Sequence, residues 1–260
     1  MATRKQRSKS QVQQVARVDL NQSAVEEHTY SKKRHIAFEP KTETQRDFVE
    51  AIRNNEMSVG IGPAGVGKTF CAATIAAQML VNNEVEKIIL TRANVTVGET
   101  IGMLPGTIEE KMTPLLLPIL TALKRQLGDG MYEYCLRKKK IEMLPAEYIR
   151  GLSFLDAFVI IDEAQNLTKK EVMAVVTRYE SGRVVFLGDP DQHDLENNEP
   201  GIEWLDKFVK KHKINIPSVK FELSDIVRHP LVKKFLYAIA SESKKPSRKK
   251  AETKSTLLNG

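Results

Sequence analysis

Residues 62–69 read GPAGVGKT, a glycine-rich run closed by a lysine and a hydroxyl. That spacing, G-x-x-x-x-G-K-[ST], suits one task, which is wrapping phosphate oxygens. Gly62, Gly65 and Gly67 can adopt backbone angles that other residues resist, so successive N–H groups can curl around an anion. Lys68 would reach the β and γ phosphates as a point charge, and Thr69 would hold Mg²⁺ through its hydroxyl. A helix beginning near Lys68 would add the positive end of its dipole. The whole run from Gly62 through Pro63, Ala64, Gly65, Val66, Gly67, Lys68 and Thr69 to Phe70 is assigned to nucleotide binding. The competing explanation is a chance glycine-rich turn. Cys71, on the same helix, reads as a packed thiol rather than a reactive one.

A second set of residues could supply hydrolysis. The run AFVIIDEAQNLT (157–168) is a hydrophobic strand ending in Asp162-Glu163. An acid at the carboxyl end of such a strand lies beside the phosphate site of an open α/β sheet. Asp162 would bind Mg²⁺ and Glu163 would orient the attacking water. Gln165 could sense the γ phosphate or that water. A bland surface strand end is the alternative. In LGDPDQHDL (187–195), Asp189 and Gln192 point to the same sheet edge and could couple phosphate to a bound strand. The same residues could equally form a turn and its cap, and His193 reads as a loop residue. Arg228, in SDIVRHP (224–230), offers a planar fork for phosphate, although an arginine alone more often makes a structural ion pair.

These groups need a scaffold. Short β-branched runs at 57–61, 87–91, 157–162, 183–189 and 218–223 alternate with helical patterns such as TFCAATIAAQMLVN and TKKEVMAVVTRYE. Such alternation predicts an α/β fold with a mostly parallel sheet of five or more strands, covered by helices on both faces. Segment 100–150 breaks the rhythm with Pro105, Pro114, Pro118, Pro145 and the basic run 137–140. It reads as a helical insertion between the second and third core strands.

The 260 residues carry a net charge of +7, unevenly placed. Residues 1–34 hold +5 and residues 241–260 hold +4, which leaves −2 for 35–240. The chain thus reads as a core, 35–240, between two basic tails expected to be disordered. Basic tails suit polyanions, though they also serve simply as solvated extensions. No apolar run approaches membrane-spanning length and no signal peptide is evident, so a cytoplasmic location is expected. Cys71 and Cys135 are too few for a disulfide framework or a zinc site.

The order GPAGVGKT, IIDEAQNLT, LGDPDQ, DIVRHP resembles the PhoH family, ATPases named for phosphate starvation. Segments 38–52, 90–119, with its LPG turn, and 150–165 extend the likeness over about 35–235. The resemblance implies a RecA-like P-loop NTPase fold, similar to the first motor domain of superfamily 1 helicases. It implies ATP and Mg²⁺ as cofactors, ATP hydrolysis, and RNA helicase-like work on RNA or single-stranded DNA. By the same analogy Gln45 contacts adenine, and Arg92 lies on a loop touching phosphate or nucleic acid. The 34 residues before the core predict no PIN nuclease domain, and the residues after the fifth strand are too few for a second RecA-like domain. The arginine such a domain would bring must then come in cis or from a neighbouring subunit. A homo-oligomer, possibly a hexameric ring, would supply it, with Arg228 and Arg178 as candidates ahead of Arg150 and Arg183. An ATP-dependent nucleic-acid-binding switch or scaffold without unwinding is the alternative function. A small-molecule kinase would want an arginine-rich lid and a substrate pocket, and neither is evident.

Overall fold

The computed structural model describes residues 38–93, 106–193, 195 and 199–243. The 1–34 tail, most of the 241–260 tail and Leu104-Pro105 of the LPG turn lie outside the described residues. The elements run α1 (Glu43–Asn54), β1 (Met57–Ile61), α2 (Lys68–Val81), β2 (Lys87–Arg92), α3 (Ile108–Leu127) and α4 (Asp129–Arg137). They continue with β3 (Ile141–Met143), β4 (Ala157–Asp162), α5 (Lys169–Val176), β5 (Gly182–Gly188), α6 (Gly201–His212), β6 (Ser218–Lys220) and α7 (Pro230–Ser243). Short 3₁₀ turns cover Ala146–Gly151, Ala164–Asn166, Pro190–Gln192 and Leu223–Asp225.

All strand pairs are parallel, in the order β3-β2-β4-β5-β1-β6. Side chains alternate across each strand, and the core divides accordingly. Ile88, Leu90, Phe158, Ile160, Val185 and Leu187 belong to the apolar cluster shared with α2 and α3. Ile89, Val159, Ile161, Val184 and Phe186 belong to the opposite cluster, with Val172 of α5 and Leu205 of α6. The sheet is therefore covered on both faces, and the middles of its central strands, 157–161 and 184–187, are apolar on both sides, as buried parallel strands are. The strand bearing the acids is separated from the glycine-loop strand by β5, the arrangement of a RecA-like P-loop NTPase. None of the described helices is long and apolar enough to cross a membrane.

Two expectations change in detail. Segment 100–150 is largely helical, but it also contributes β3, which pairs with β2 and forms one edge of the sheet. Three residues inside a basic, proline-rich stretch are too short to announce themselves by alternation. The TKKEVMAVVTRYE pattern yields helix only to Val176. Beyond it the chain turns extended, where the Phe154 N–H donates to Arg178 O at 2.8 Å and the Glu180 N–H to Phe154 O at 3.0 Å.

α5 begins with a reciprocal capping box between Thr168 and Glu171, and α3 with one between Thr107 and Glu110. Both cysteines are free and buried. Burial pushes the Cys71 thiol up to about 12 and the Cys135 thiol up to about 11, which makes them packing groups.

Candidate active site

Strand register brings the chemistry to one edge. Ile61, before the glycine loop, pairs with Gly188, and Arg92 pairs with Asp162. The carboxyl ends of β1, β2, β4 and β5 thus meet at one cleft of about 1270 Å³. Its walls include Gly65, Gly67, Lys68, Thr69, Arg92, Asp162, Glu163, Asp189, Gln192 and Arg228.

The loop is built closely against its surroundings. At Gly62, a Cβ would lie 2.5 Å from the carbonyl oxygen of Phe221, so only glycine fits. Gly67 caps α2 with φ 92°, a left-handed angle, and its missing Cβ leaves room for the Gln45 amide. Gln45 is buried and tied at both ends, donating to Val66 O at 2.7 Å and accepting from the Lys41 N–H at 2.8 Å. It therefore braces the loop against the segment before α1, and its place in the cleft wall leaves an adenine contact open to its remaining hydrogen and lone pair.

Lys68 turns back on its own loop. Its ammonium folds back to donate to Gly62 O at 2.5 Å and Pro63 O at 3.0 Å. Burial lowers its pKa, against the opposing fields of Asp189, Asp162 and Glu163. An ammonium held on two neutral carbonyls can exchange those contacts for phosphate oxygens, which offer full negative charge.

Asp162 is buried, and its pKa is pushed up to about 6, first by desolvation and then by the neighbouring Glu163. Arg92, the Glu163 backbone N–H and Lys68 pull it the other way. A buried carboxylate whose charge is disfavoured, sharing a cleft with the Thr69 hydroxyl, is a pair of hard oxygen donors that a divalent cation would stabilise. These residues fit Mg²⁺, which takes one or two protein oxygens and fills its remaining positions with water and phosphate.

Glu163 sits in a left-handed conformation at φ 52°, ψ 38°. Arg92 Nη2 donates to its Oε1 at 3.2 Å, and Gln165 Nε2 to its Oε2 at 2.6 Å. Gln165 Oε1 accepts from the Asp189 N–H at 3.1 Å. Asp189 itself caps the turn after β5, accepting from the Asp191 N–H at 3.2 Å and from Gln192 Nε2 at 2.7 Å. The turn-and-cap explanation of Asp189 and Gln192 thus holds locally, while both residues still line the cleft. His193 lies exposed in the loop that follows.

The candidate arginines separate cleanly. Arg228 reaches into its own cleft, its Cγ 3.1 Å from the position of a Cβ at Gly65, and the Val227 N–H donates to Gly65 O at 3.2 Å. Arg183, second in β5, lies at the amino end of the strand, away from the cleft, and donates to the carbonyls of Ile52, Arg53 and Gly182, so it is a structural tie. Arg178 binds the carbonyl of Arg150 through Nε at 2.8 Å and through Nη2, also away from the cleft.

Sequence reasoning missed what α3 brings. Pro118, Thr121, Ala122, Arg125 and Gln126 line the same cleft, with the Arg125 guanidinium 5.7 Å above the Phe70 ring. Phe38 meets Phe70 edge to face at 5.7 Å. Gln126 Nε2 donates to Thr74 Oγ1 of α2 at 3.0 Å, which holds the two helices together. The arginine in the LKRQ stretch, close to the end of the helix, carried no motif that could have marked it.

Known proteins resemble this chain over most of its length. The family model described as "PhoH-like protein" matches residues 37–240. A PhoH-like protein of Bacillus subtilis (strain 168) is 38% identical over 218 residues, covering 84% of this chain and 68% of that protein. One from Synechocystis sp. is 38% identical over 199 residues, covering 76% and 61%. Protein PhoH of Escherichia coli (strain K12) is 36% identical over 203 residues, covering 76% and 57%. The matched region thus spans about three-fifths of these relatives' length. Among solved structures, the large terminase of a thermophilic bacteriophage has a TM-score of 0.48 at 15% identity, covering 76% of this chain and 50% of that one. The phosphate loop, the acidic pair and the sheet that joins them lie within the matched region, and the chain belongs to the PhoH family.

Proposed function

We propose that this chain hydrolyses ATP to ADP and phosphate, and that hydrolysis is coupled to binding or remodelling RNA or single-stranded DNA. The observation that carries the reading is the meeting of Lys68, Thr69, Asp162 and Glu163 in one cleft at the ends of β1 and β4. The loop N–H groups and the amino end of α2 receive the phosphates. Lys68 leaves the carbonyls of Gly62 and Pro63 for the β and γ oxygens. Thr69 and Asp162 would hold Mg²⁺, whose charge offsets that of the phosphates when it is bound. Glu163 orients the attacking water and accepts its proton, while Gln165 keeps the carboxylate in place.

Arg228 supplies positive charge beside the phosphates. Its position against Gly65 of the same chain favours action within the subunit over a shared interface. Nucleic acid as partner is supported by the basic tails, which together carry +9. The test is ATP turnover by the full chain with and without single-stranded RNA and DNA, alongside duplex unwinding. Turnover that Lys68→Ala leaves intact would sink the hydrolytic reading. Turnover indifferent to both nucleic acids would remove the coupling and leave an uncoupled ATPase. Stimulation by nucleic acid without strand separation would assign a switch rather than a helicase.

A further inference from the structure

We infer that Arg92 is a positioning residue that sets Glu163 and makes its setting depend on the inserted helix α3. The inference rests on the hydrolytic reading above. Arg92 closes β2 directly opposite Asp162. Its Nη1 donates to the Leu115 carbonyl of α3 at 2.6 Å, and its Nη2 to Glu163 Oε1 at 3.2 Å. A guanidinium is planar and its N–H groups leave in fixed directions, so the two contacts cannot adjust independently.

Glu163 is gripped from both sides, and each grip has a second anchor. On one side Arg92 is anchored to α3. On the other, Gln165 holds Oε2 at 2.6 Å and accepts from the Asp189 N–H at 3.1 Å. A continuous line of polar contacts therefore crosses the ends of β2, β4 and β5. The left-handed backbone of Glu163 adds to it by fixing the direction in which the side chain departs. Such a conformation is strained for a residue with a Cβ and persists only where the surroundings impose it. A water-orienting carboxylate needs this constraint, because a displacement of ~1 Å can cost ~10²-fold in rate.

The anchor on α3 is equally specific. Pro114 and Pro118 lie inside that helix, and neither donates an N–H, which removes the usual partners of the Glu110 and Pro114 carbonyls. Leu115 lies between the two prolines, and its carbonyl has a second lone pair for a donor from outside the helix. α3 also lines the cleft through Pro118, Thr121 and Arg125. A shift of α3 moves the Leu115 carbonyl, and through Arg92 it moves the carboxylate of Glu163.

The test uses the full chain. Arg92→Lys keeps the charge, but one ammonium cannot span Leu115 and Glu163 in a fixed fork. Its kcat should fall ~10-fold or more, with KM for ATP within ~2-fold of wild type. Arg92→Ala should lose at least as much. Wild-type kcat in the lysine variant would overturn the inference. So would a loss carried by KM with kcat kept, which would place Arg92 on the nucleotide instead. Amide exchange of the nucleotide-free protein gives a readout without turnover. In both variants the α3 amides from Leu115 to Gln126 should exchange faster, and unchanged exchange would overturn the tether. If the wild type binds ATP without hydrolysing it, the hydrolytic reading fails while the exchange result still decides the tether.

Discussion

Asp162→Asn should make the protein more stable while abolishing its hydrolysis. Asp162 is 8% exposed, and the pKa of its carboxyl group rises from 3.8 to about 6, mainly through burial and then through Glu163. A rise of about two units corresponds to about 3 kcal/mol, at ~1.36 kcal/mol per unit. The sign follows from proton linkage. An acid whose folded pKa is raised binds its proton more tightly when native. That contribution is fully present below 3.8 and is lost as pH rises through about 6. At about pH 8 both states are ionised, and the native state carries the full cost. Asparagine keeps the shape and sheds the charge. Desolvation of its carboxamide offsets part of the gain, leaving ~1–2 kcal/mol. For a chain of this size that is a rise of ~2–8 °C in Tm.

The assay is thermal or urea unfolding with chelator present and nucleotide absent, at about pH 8 and about pH 4. The variant should gain at the higher pH and lose its advantage at the lower. Magnesium titrated into the wild type at the higher pH should raise Tm by binding the native state, and it should leave the variant unmoved. Destabilisation of equal size at both pH values would refute the reasoning, since the carboxylate would then be making a favourable native contact rather than bearing a cost.

Lys68→Ala should abolish turnover and cost ~1 kcal/mol of stability, the usual worth of contacts such as those to Gly62 and Pro63; wild-type turnover, or a collapse of the fold on denaturation, would contradict it. Glu163→Gln should retain ATP binding by calorimetry while turnover drops ~10²-fold. Parallel loss of both would make Glu163 a metal or structural residue. Removing both basic tails should weaken binding to single-stranded nucleic acid. It should also flatten the salt dependence, by ~0.7 in log–log slope for each phosphate that the tails had neutralised. A truncated core with unaltered affinity and slope would make the tails solubility elements.

Five of the six strands among the described residues were legible because each falls on a β-branched run bounded by turn residues, and the loop and acidic pair because they end two of those runs. β3 was not, since Ile141–Met143 sits among lysines and prolines and gains its place only by pairing with β2. The fold-back of Lys68 depends on carbonyl directions that no residue type announces. The contact of Arg92 with Leu115 joins residues 23 apart through a backbone oxygen, and a backbone oxygen leaves no mark in a sequence. The proline-broken run of α3 read as helix, yet nothing in it told that one side would wall the cleft with Arg125. Arg183 read as a possible finger arginine until its three carbonyl partners were in place.

The strand order has a consequence for synthesis. β1 and its loop emerge early, but the partners of β1 are β5 and β6, and the wall behind Gly62 is Phe221. Arg228 and Val227 close the loop's other side from still further along the chain. At ~5–20 residues per second, a ribosome would deliver these pieces ~10–30 s after the loop itself. During that interval the nascent chain holds a phosphate-binding sequence without a phosphate-binding site. Nucleotide therefore cannot act as a folding template for the early half, and a chain that stalls before β6 should leave β1 with an unpaired edge, open to capture by a chaperone or by another strand.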